Sequence, residues 1–417
     1  MKLLYLHQHF ATPAMAGGTR SYEMARRLVA NGHEVHLLTG DRSRERRTRA
    51  WHETEEAGIC VHWLPLPYDN RMTYPDRIRA FFAFAMRAGS RAASLGGDVV
   101  FATSTPLTVA LPGLHAASRL QVPFVFEVRD LWPEVPIAMG ALPAGVPTFM
   151  ARRLERTAYR QAAKIIALSP GMRDGIVRSG VPAERVHVIP NASDTDLFRP
   201  DYGLGRTFRR QNPWLAERPF VLYAGTIGKV NGVDYLARLA AATRELAPEI
   251  CFVIIGSGAE AEHVLSVARN LGVLDVNFIL MQPRSKSEIP AAFAAASMSI
   301  SVVIDLEELH ANSANKFFDG LAAGRPVAIN YGGWQADVLA QARAGIVLPR
   351  DIPKAADILV GKIRDAEWLR DAGARARQIA ETLFDRGHLA VEFENVLMTA
   401  LSHGTPPERT QVAAWLR

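Results

Sequence analysis

Residues Ser313–Pro326 read SANKFFDGLAAGRP and run into the apolar triplet Val327-Ala328-Ile329 and the turn Tyr331-Gly332-Gly333-Trp334. Asn315 is placed to cap a helix beginning near Lys316, Gly324 to end it, and Pro326 to keep it from resuming. The spacing therefore predicts a helix of about two turns ahead of a buried strand. A helix start presents free N–H groups and the positive end of the dipole, which suit a diphosphate; Lys316 adds a full charge and Asp319, one turn deeper, an acceptor for ribose hydroxyls. The equal alternative is a capped helix before a core strand, with Lys316 solvated and Asp319 paired locally.

Outward from this stretch the chain alternates apolar runs with helical segments. In the second half the strand candidates are Pro219–Tyr223, Cys251–Ile255, Val276–Leu280, Met298–Ile304, Pro326–Ile329 and Ile346–Leu348. In the first half they are Lys2–His7, Val35–Thr39, Asp98–Ala102, Pro123–Glu127, Lys164–Leu168 and Val186–Ile189. Such alternation predicts two α/β halves with doubly wound parallel sheets, which place ligands at the carboxyl ends of the strands. The expected division is residues 1–200, a polar, arginine-rich linker over 201–218, a second domain over 219–385, and a final helix crossing back with a mobile tail over 386–417. Two halves of this kind are expected to face each other across a cleft that holds the site.

Composition is compatible with that division. The 417 residues are 48% hydrophobic, enough for two cores. No run approaches the roughly 20 apolar residues of a spanning helix, and MKLLYLHQHF turns polar too early for a signal peptide, so a cytoplasmic location is expected. Cys60 and Cys251 are too few and too far apart to predict a disulfide framework or a zinc site. The net charge of +6 permits a phosphate-bearing substrate or an anionic membrane surface, and equally an ordinary basic exterior. No nucleic-acid partner is expected.

Between the first strand and the helix expected from Thr19 to Ala30, Gly17 and Gly18 would let the backbone approach a ligand. The third glycine of the dinucleotide fingerprint is missing, so a tight structural turn is an equal reading.

Six stretches in order carry a resemblance. They are the opening strand with its glycine loop, GHEVHLLT (Gly32–Thr39), EVRDLWPE (Glu127–Glu134), VIPNASDTDLFRP (Val188–Pro200), YAGTIGKVNGVD (Tyr223–Asp234) and ANKFFDGLAAGRPV (Ala314–Val327). From the first strand to about residue 390 the chain resembles the retaining family 4 glycosyltransferases, nearest their bacterial polysaccharide branch that includes the fucosamine transferases. That resemblance implies the GT-B fold, two Rossmann-like domains across a cleft, and transfer of a sugar from a nucleoside-diphosphate donor, UDP-linked, to a polyprenyl-diphosphate-linked or saccharide acceptor. It implies no cofactor.

Departures from the family pattern shift several roles. The usual Glu-x7-Glu pair is replaced by Ala311 and Asp319, so only the ribose-side carboxylate remains, and the resemblance assigns Asn315, Lys316 and Phe317 to the diphosphate or the sugar. Where relatives carry an Arg and a Lys after the first strand of the second domain, this chain has Thr226 and Asn231, with Lys229 nearby for phosphate. Arg129 stands where many relatives have a histidine. It cannot act as a base, because guanidinium stays protonated, but it can hold an acceptor phosphate or hydroxyl while Asp130 orients the attacking hydroxyl. The plainer alternative is an Arg-Asp pair beside a core Trp132. Catalytic roles thus fall to Arg129, Asp130 and Lys316, and binding roles to Gly17, Gly18, Thr226, Lys229, Asn315, Phe317 and Asp319. Asp194-Thr195-Asp196 could hold a divalent metal, but a turn or cap fits its place in NASDTDLFRP better, and no metal is expected.

The segment Arg71–Ala93 interleaves Arg77, Arg79, Arg87 and Arg91 with Phe81, Phe82, Phe84 and Met86. It reads either as an amphipathic helix on an anionic inner-membrane face, presenting the enzyme to a lipid-linked acceptor, or as a domain helix with its aromatics in the core. A sugar-nucleotide epimerase or hydrolase on the same fold, and a non-catalytic binding subunit, are the competing functions. An epimerase would need a carboxylate and histidine set that these motifs lack.

Overall fold

In a computed structural model of the chain, described for residues 1–15, 17–42, 50–68 and 72–407, two compact units form. The first comprises Met1–Thr12, Gly17–Pro190 and Gly387–Arg417; the second is built on Asn191–Arg386.

The first unit holds β1 (Lys2–Leu6), β2 (Glu34–Asp41), β3 (His52–Glu56), β4 (Ile59–Pro65), β5 (Val99–Thr103), β6 (Phe124–Val128), β7 (Lys164–Ala167) and β8 (Val186–Val188). They form one sheet in the order β3-β4-β2-β1-β5-β6-β7-β8, parallel except for β3. Runs such as Leu3–Leu6 and Val99–Ala102 are fully buried because helices cover both faces of a parallel sheet. The helices are α1 (Arg20–Ala30), α2 (Tyr74–Leu95), α3 (Ala110–Leu120), α4 (Glu134–Ala138), α5 (Val146–Gln161) and α6 (Pro170–Arg178), of which α2 and α5 both pack against α3.

The alternation of apolar runs does not predict β3, whose sequence HETEE is polar. It exists because Ala57 and Gly58, with φ of 52° and 80°, make the two-residue turn whose twist matches an antiparallel hairpin.

The second unit's six strands are β9 (Phe220–Ala224), β10 (Cys251–Ile255), β11 (Phe278–Met281), β12 (Met298–Ser301), β13 (Val327–Ile329) and β14 (Gly345–Val347). All are parallel, in the order β11-β10-β9-β12-β13-β14, the third-second-first-fourth-fifth-sixth order of a dinucleotide-binding sheet. Its helices are α7 (Tyr202–Gln211), α8 (Asp234–Leu246), α9 (Ala261–Asn270), α10 (Ile289–Ala295), α11 (Asn315–Ala322), α12 (Trp334–Ala342), α13 (Ile352–Arg364) and α14 (Ala366–Leu383).

Two expected boundaries move. The compact units divide at Pro190 rather than near residue 200. Residues 201–218 are no free linker: Asp201 caps α7 through the N–H groups of Gly203 and Leu204, Phe208 stacks on Phe220 at 6.1 Å, and Arg209 Nη2 donates to the Ala295 carbonyl at 3.1 Å. The expected final helix is α15 (Arg386–His403), separated from α14 at Phe384 and Asp385, and from Gly387 onward it belongs to the first unit. There Phe393 meets Phe101 edge-on at 5.0 Å and lies 6.5 Å from Tyr5, while Glu394 accepts from Asn31 at 2.5 Å and pairs with His33 at 2.8 Å. Most of the tail expected to be mobile lies outside the described residues.

Candidate functional site

In the first unit the strand order reverses between β1 and β5, and the carboxyl ends of the strands open a crevice there. His7 follows β1, Ser104 follows β5 and Arg129 follows β6. The Arg129 backbone N–H donates to Ser104 Oγ at 3.0 Å, and its Nη1 lies 3.2 Å from His7 Nε2. Burial, with Arg129, His9 and Arg42 beside it, drives the His7 pKa well below the ordinary range. The ring is therefore neutral and can accept from the guanidinium. Asp130 keeps contact with solvent, yet its crowded surroundings push its pKa up to about 6, with Arg129 opposing. Gly17 and Gly18 are exposed just ahead of α1, Gly17 with a φ of +143°.

Beneath these loops lies a buried ion pair. Arg20 donates to Glu127 Oε1 through Nε at 3.0 Å and Nη2 at 2.8 Å, and to the Pro190 and Ile189 carbonyls at 2.6 and 2.9 Å. Thr103 Oγ1 donates to the other carboxylate oxygen at 2.6 Å. With its hydrogen-bonding groups engaged, this pair fixes the start of α1 against β6 and against the chain just after β8; removing one partner would strand a buried charge.

In the second unit the reversal falls between β9 and β12. The loop after β9 begins at Gly225, where a Cβ would come within 2.9 Å of Lys316 Cε; the absent side chain lets Lys316 lie along the loop. Lys316 Nζ stands 5.1 Å from the centre of the Tyr223 ring, whose hydroxyl donates to the Thr226 carbonyl at 2.7 Å. Desolvation lowers the Lys316 pKa to about 8, against the opposing pull of Asp319. Asp319 Oδ1 accepts from Ser193 Oγ at 2.8 Å and pairs with Lys286 Nζ at 3.4 Å, and that ammonium also lies 4.3 Å from the centre of the Phe198 ring. One carboxylate between two lysines leaves the group net positive when both lysines are protonated. Asn191 ties the chain entering this unit to the start of α11, its N–H to Ser313 Oγ at 3.0 Å and its Nδ2 to the Ser313 carbonyl at 2.5 Å.

Two expected roles change. Asn315 is the first residue of α11 rather than its cap, a place taken by Ala314 with no side-chain bond. Gly324 ends the helix as expected, with a φ of +64°. Phe317 is fully buried, with ring centres 5.2 Å from Phe318 and 6.4 Å from Trp334, so it is a core residue and not a ligand contact. Asp319 is accessible only in small part, and its Oδ1 is already engaged by Ser193 and Lys286. Thr226 and Lys229 are exposed on the loop after β9. Asp194 turns toward Arg386 Nε at 3.5 Å while Asp196 is exposed, and the Asp194 carbonyl accepts from the N–H groups of Leu197 and Phe198. That is a turn, with the carboxylates serving different ends. Four partners were given no role by the sequence: His7 directly follows β1, Ser193 and Tyr223 lie inside two of the quoted stretches, and Lys286 lies in none of them.

The mixed helix resolves into two faces. On α2, Phe81 and Phe84 are core, whereas Phe82 and Met86 are 48% and 72% exposed. Arg91 is not on the outer face's free edge, since it pairs with Glu53 on β3. The start of α5 exposes Val146, Phe149 and Met150 beside Arg152 and Arg153. Arg71 lies outside the described residues. Among the described residues no helix is long and apolar enough to cross a membrane.

Two family models match the chain: a glycosyl transferase 4-like domain over residues 16–192 and glycosyl transferases group 1 over residues 218–365. A protein of Escherichia coli named for a glycosyl transferase role in colanic acid biosynthesis, WcaI, is 23% identical over 95% of this chain and 99% of its own length. The alpha-maltose-1-phosphate synthase of Mycolicibacterium smegmatis is 26% identical over 80% of this chain and 88% of its own. Among solved structures, the Anabaena protein HepE in complex with UDP-glucose superposes with a TM-score of 0.71 at 18% identity, covering 96% of this chain and 100% of that one.

Proposed function

Because the chain belongs to the GT-B glycosyltransferases of family 4, we propose that it moves a sugar, with retention, from a UDP-linked donor to a lipid-linked or saccharide acceptor in bacterial cell-surface polysaccharide synthesis. The observation that carries this reading is the cationic cradle of Lys316 and Lys286 around Asp319, set against the glycine loop after β9 at the strand-order reversal of the second sheet. A diphosphate is a ligand whose negative charge such a cradle complements. UDP is favoured over other bases by the UDP-glucose complex of the Anabaena neighbour, and a polysaccharide acceptor by the colanic acid relative.

The chemistry then follows from charge. As the bond from the sugar to the diphosphate breaks, negative charge grows on the leaving phosphate oxygen. Lys316, Lys229 and the N–H groups opening α11 stabilise it, each well-aimed donor contributing about 2.7 to 4 kcal/mol in a dry site. The same oxygen takes the acceptor hydroxyl's proton on the face it leaves, so no pair of carboxylates at glycosidase spacing is needed. In the first unit, Asp130 orients the acceptor hydroxyl and Arg129, steadied by neutral His7, holds its phosphate or neighbouring hydroxyl.

A lipid-linked acceptor is supported by the exposed Phe82, Met86, Val146, Phe149 and Met150, set among arginines on helices that share α3 as a neighbour. That surface fits an anionic bilayer at the inner face of the membrane, with the apolar side chains entering the headgroup boundary and each nearby arginine contributing about 1 kcal/mol.

The direct test is to incubate the full chain with UDP-, GDP- and dTDP-sugars and polyprenyl-diphosphate-linked acceptors, and to follow the anomeric configuration of the product by NMR. UDP-dependent transfer with the donor's configuration is expected. Transfer with inversion, or a donor free of UDP, would overturn the corresponding half of the proposal.

A further inference from the structure

Away from these loops, the early part of β2 and β4 brings three ligand-type side chains to one point. His36 on β2 lies directly opposite Cys60 on the parallel strand β4, and His62, two residues on, returns to the same face. His36 Nδ1 is 2.9 Å from His62 Nε2, Cys60 Sγ is 3.6 Å from His62 Nε2, and the three ligand atoms all fall within 4.8 Å of one another. In a tetrahedral zinc site with Zn–S of about 2.3 Å and Zn–N of about 2.0–2.1 Å, sulfur and nitrogen stand about 3.6 Å apart. The Cys60–His62 distance already matches; His36 would shift to widen its 2.9 Å separation from His62 Nε2 and to bring Nδ1, now within 4.8 Å of Cys60 Sγ, to about 3.6 Å from it.

The outer nitrogens supply an independent observation. His36 Nε2 lies 2.7 Å from Glu34 Oε1 and His62 Nδ1 lies 3.0 Å from Glu53 Oε1, the carboxylate–histidine arrangement that orients metal ligands. If each neutral ring donates to its carboxylate, both inner nitrogens carry lone pairs and face one another across 2.9 Å. A metal ion between them would satisfy both lone pairs at once. Arg91 Nη2 bonds Glu53 and stands 3.4 Å from His62 Nδ1, on the outer side of the ring, where it does not obstruct the inner nitrogen.

We propose that His36, Cys60 and His62 form a zinc site that fastens β2 to β4, with Glu34 and Glu53 orienting the imidazoles and a water in the fourth position. Binding converts the Cys60 thiol to a thiolate, releasing its proton as the Zn–S bond forms, with no change of oxidation state. Lying early in β2 and β4, away from the carboxyl ends that carry the donor and acceptor groups, the metal is structural and takes no part in transfer. The cysteine count alone hides such a site, since only strand register collects its three ligands.

Co²⁺ reports on this geometry directly. The reduced, tag-free full chain, stripped of metal, is titrated with Co²⁺ and followed by absorption. One equivalent should produce a thiolate-to-cobalt charge-transfer band and the intense visible bands of four-coordinate cobalt, and Zn²⁺ should abolish both. Cys60→Ser should remove the charge-transfer band, Cys251→Ser should retain it, and Glu34→Gln should weaken Co²⁺ binding about 10-fold. UDP affinity should be unchanged in every variant, which also verifies folding. Absence of a stoichiometric cobalt spectrum in the wild type overturns the site, as does a charge-transfer band that survives Cys60→Ser. Should Cys60→Ser fail to fold, the wild-type spectrum, its displacement by Zn²⁺ and the Glu34→Gln shift decide the matter.

Discussion

Lys316 is a cation held where water is scarce, and that tension makes its role measurable. Replacing it with alanine removes a charge-assisted contact, so UDP affinity should fall roughly 10- to 100-fold, about 1.5–3 kcal/mol, with the melting temperature in the absence of ligand little changed. Unaltered affinity by calorimetry would remove Lys316 from the donor site. Its pKa, lowered to about 8 by desolvation, sets a pH dependence. The ammonium form, which holds the diphosphate, predominates below that value and is lost above it, so UDP affinity should decline as pH rises through about 8 in the wild type and stay flat in Lys316→Met. At this scale the sequence was legible where function concentrates in one short stretch: Lys316 and Asp319 stand three residues apart. It was silent where partners come from afar, as Ser193 and Lys286 do for Asp319 across 126 and 33 residues and His7 does for Arg129 across 122. Phe317 misled for the opposite reason, since a residue inside a functional motif can still be the one that points into the core.

Helix α2 shows how one element serves two surfaces at once. Phe84→Ala should destabilise the protein by about 3–5 kcal/mol, as for other fully buried phenylalanines, whereas Phe82→Ser should change stability by no more than about 0.5 kcal/mol. Combined Phe82→Ser, Met86→Ser and Phe149→Ser should instead reduce co-sedimentation with anionic liposomes while sparing UDP affinity. Equal sedimentation of variant and wild type, or none for either at low salt, would leave the lipid-linked acceptor without this support. Salt should weaken the wild-type interaction, as exposed charges are screened beyond about 8 Å at physiological ionic strength. The buried parallel strands were readable because both of their faces must be apolar; β3 was not, because an edge strand carries the polar sequence HETEE and is specified by the Ala57-Gly58 turn behind it.

For the molecule as a whole, a ligand that binds only the folded state must raise its stability, by about 2.7 kcal/mol at a concentration 100 times its Kd. UDP should therefore raise the melting temperature. Turnover should persist in excess EDTA, because Asp194 is turned to Arg386 while Asp196 faces solvent; loss that Mg²⁺ restores would show that the pair holds a metal after all. The alternation of apolar runs predicted two parallel-sheet halves and a final helix crossing back, but not that α15, a member of the first unit, rests on Tyr5 and Phe101, since a helix's sequence states how wide its apolar face is and not which sheet will cover it. That membership bears on how the protein is made. The strands on which Phe393 rests leave the ribosome long before it does, with all of Asn191–Arg386 to be synthesised in between. The nascent first half must wait, its apolar flank around Tyr5 and Phe101 uncovered, while the second half, almost continuous in sequence, can close on its own. A stop codon just after Arg386 should thus spare the later-born half and leave the earlier-born one for chaperones and proteases.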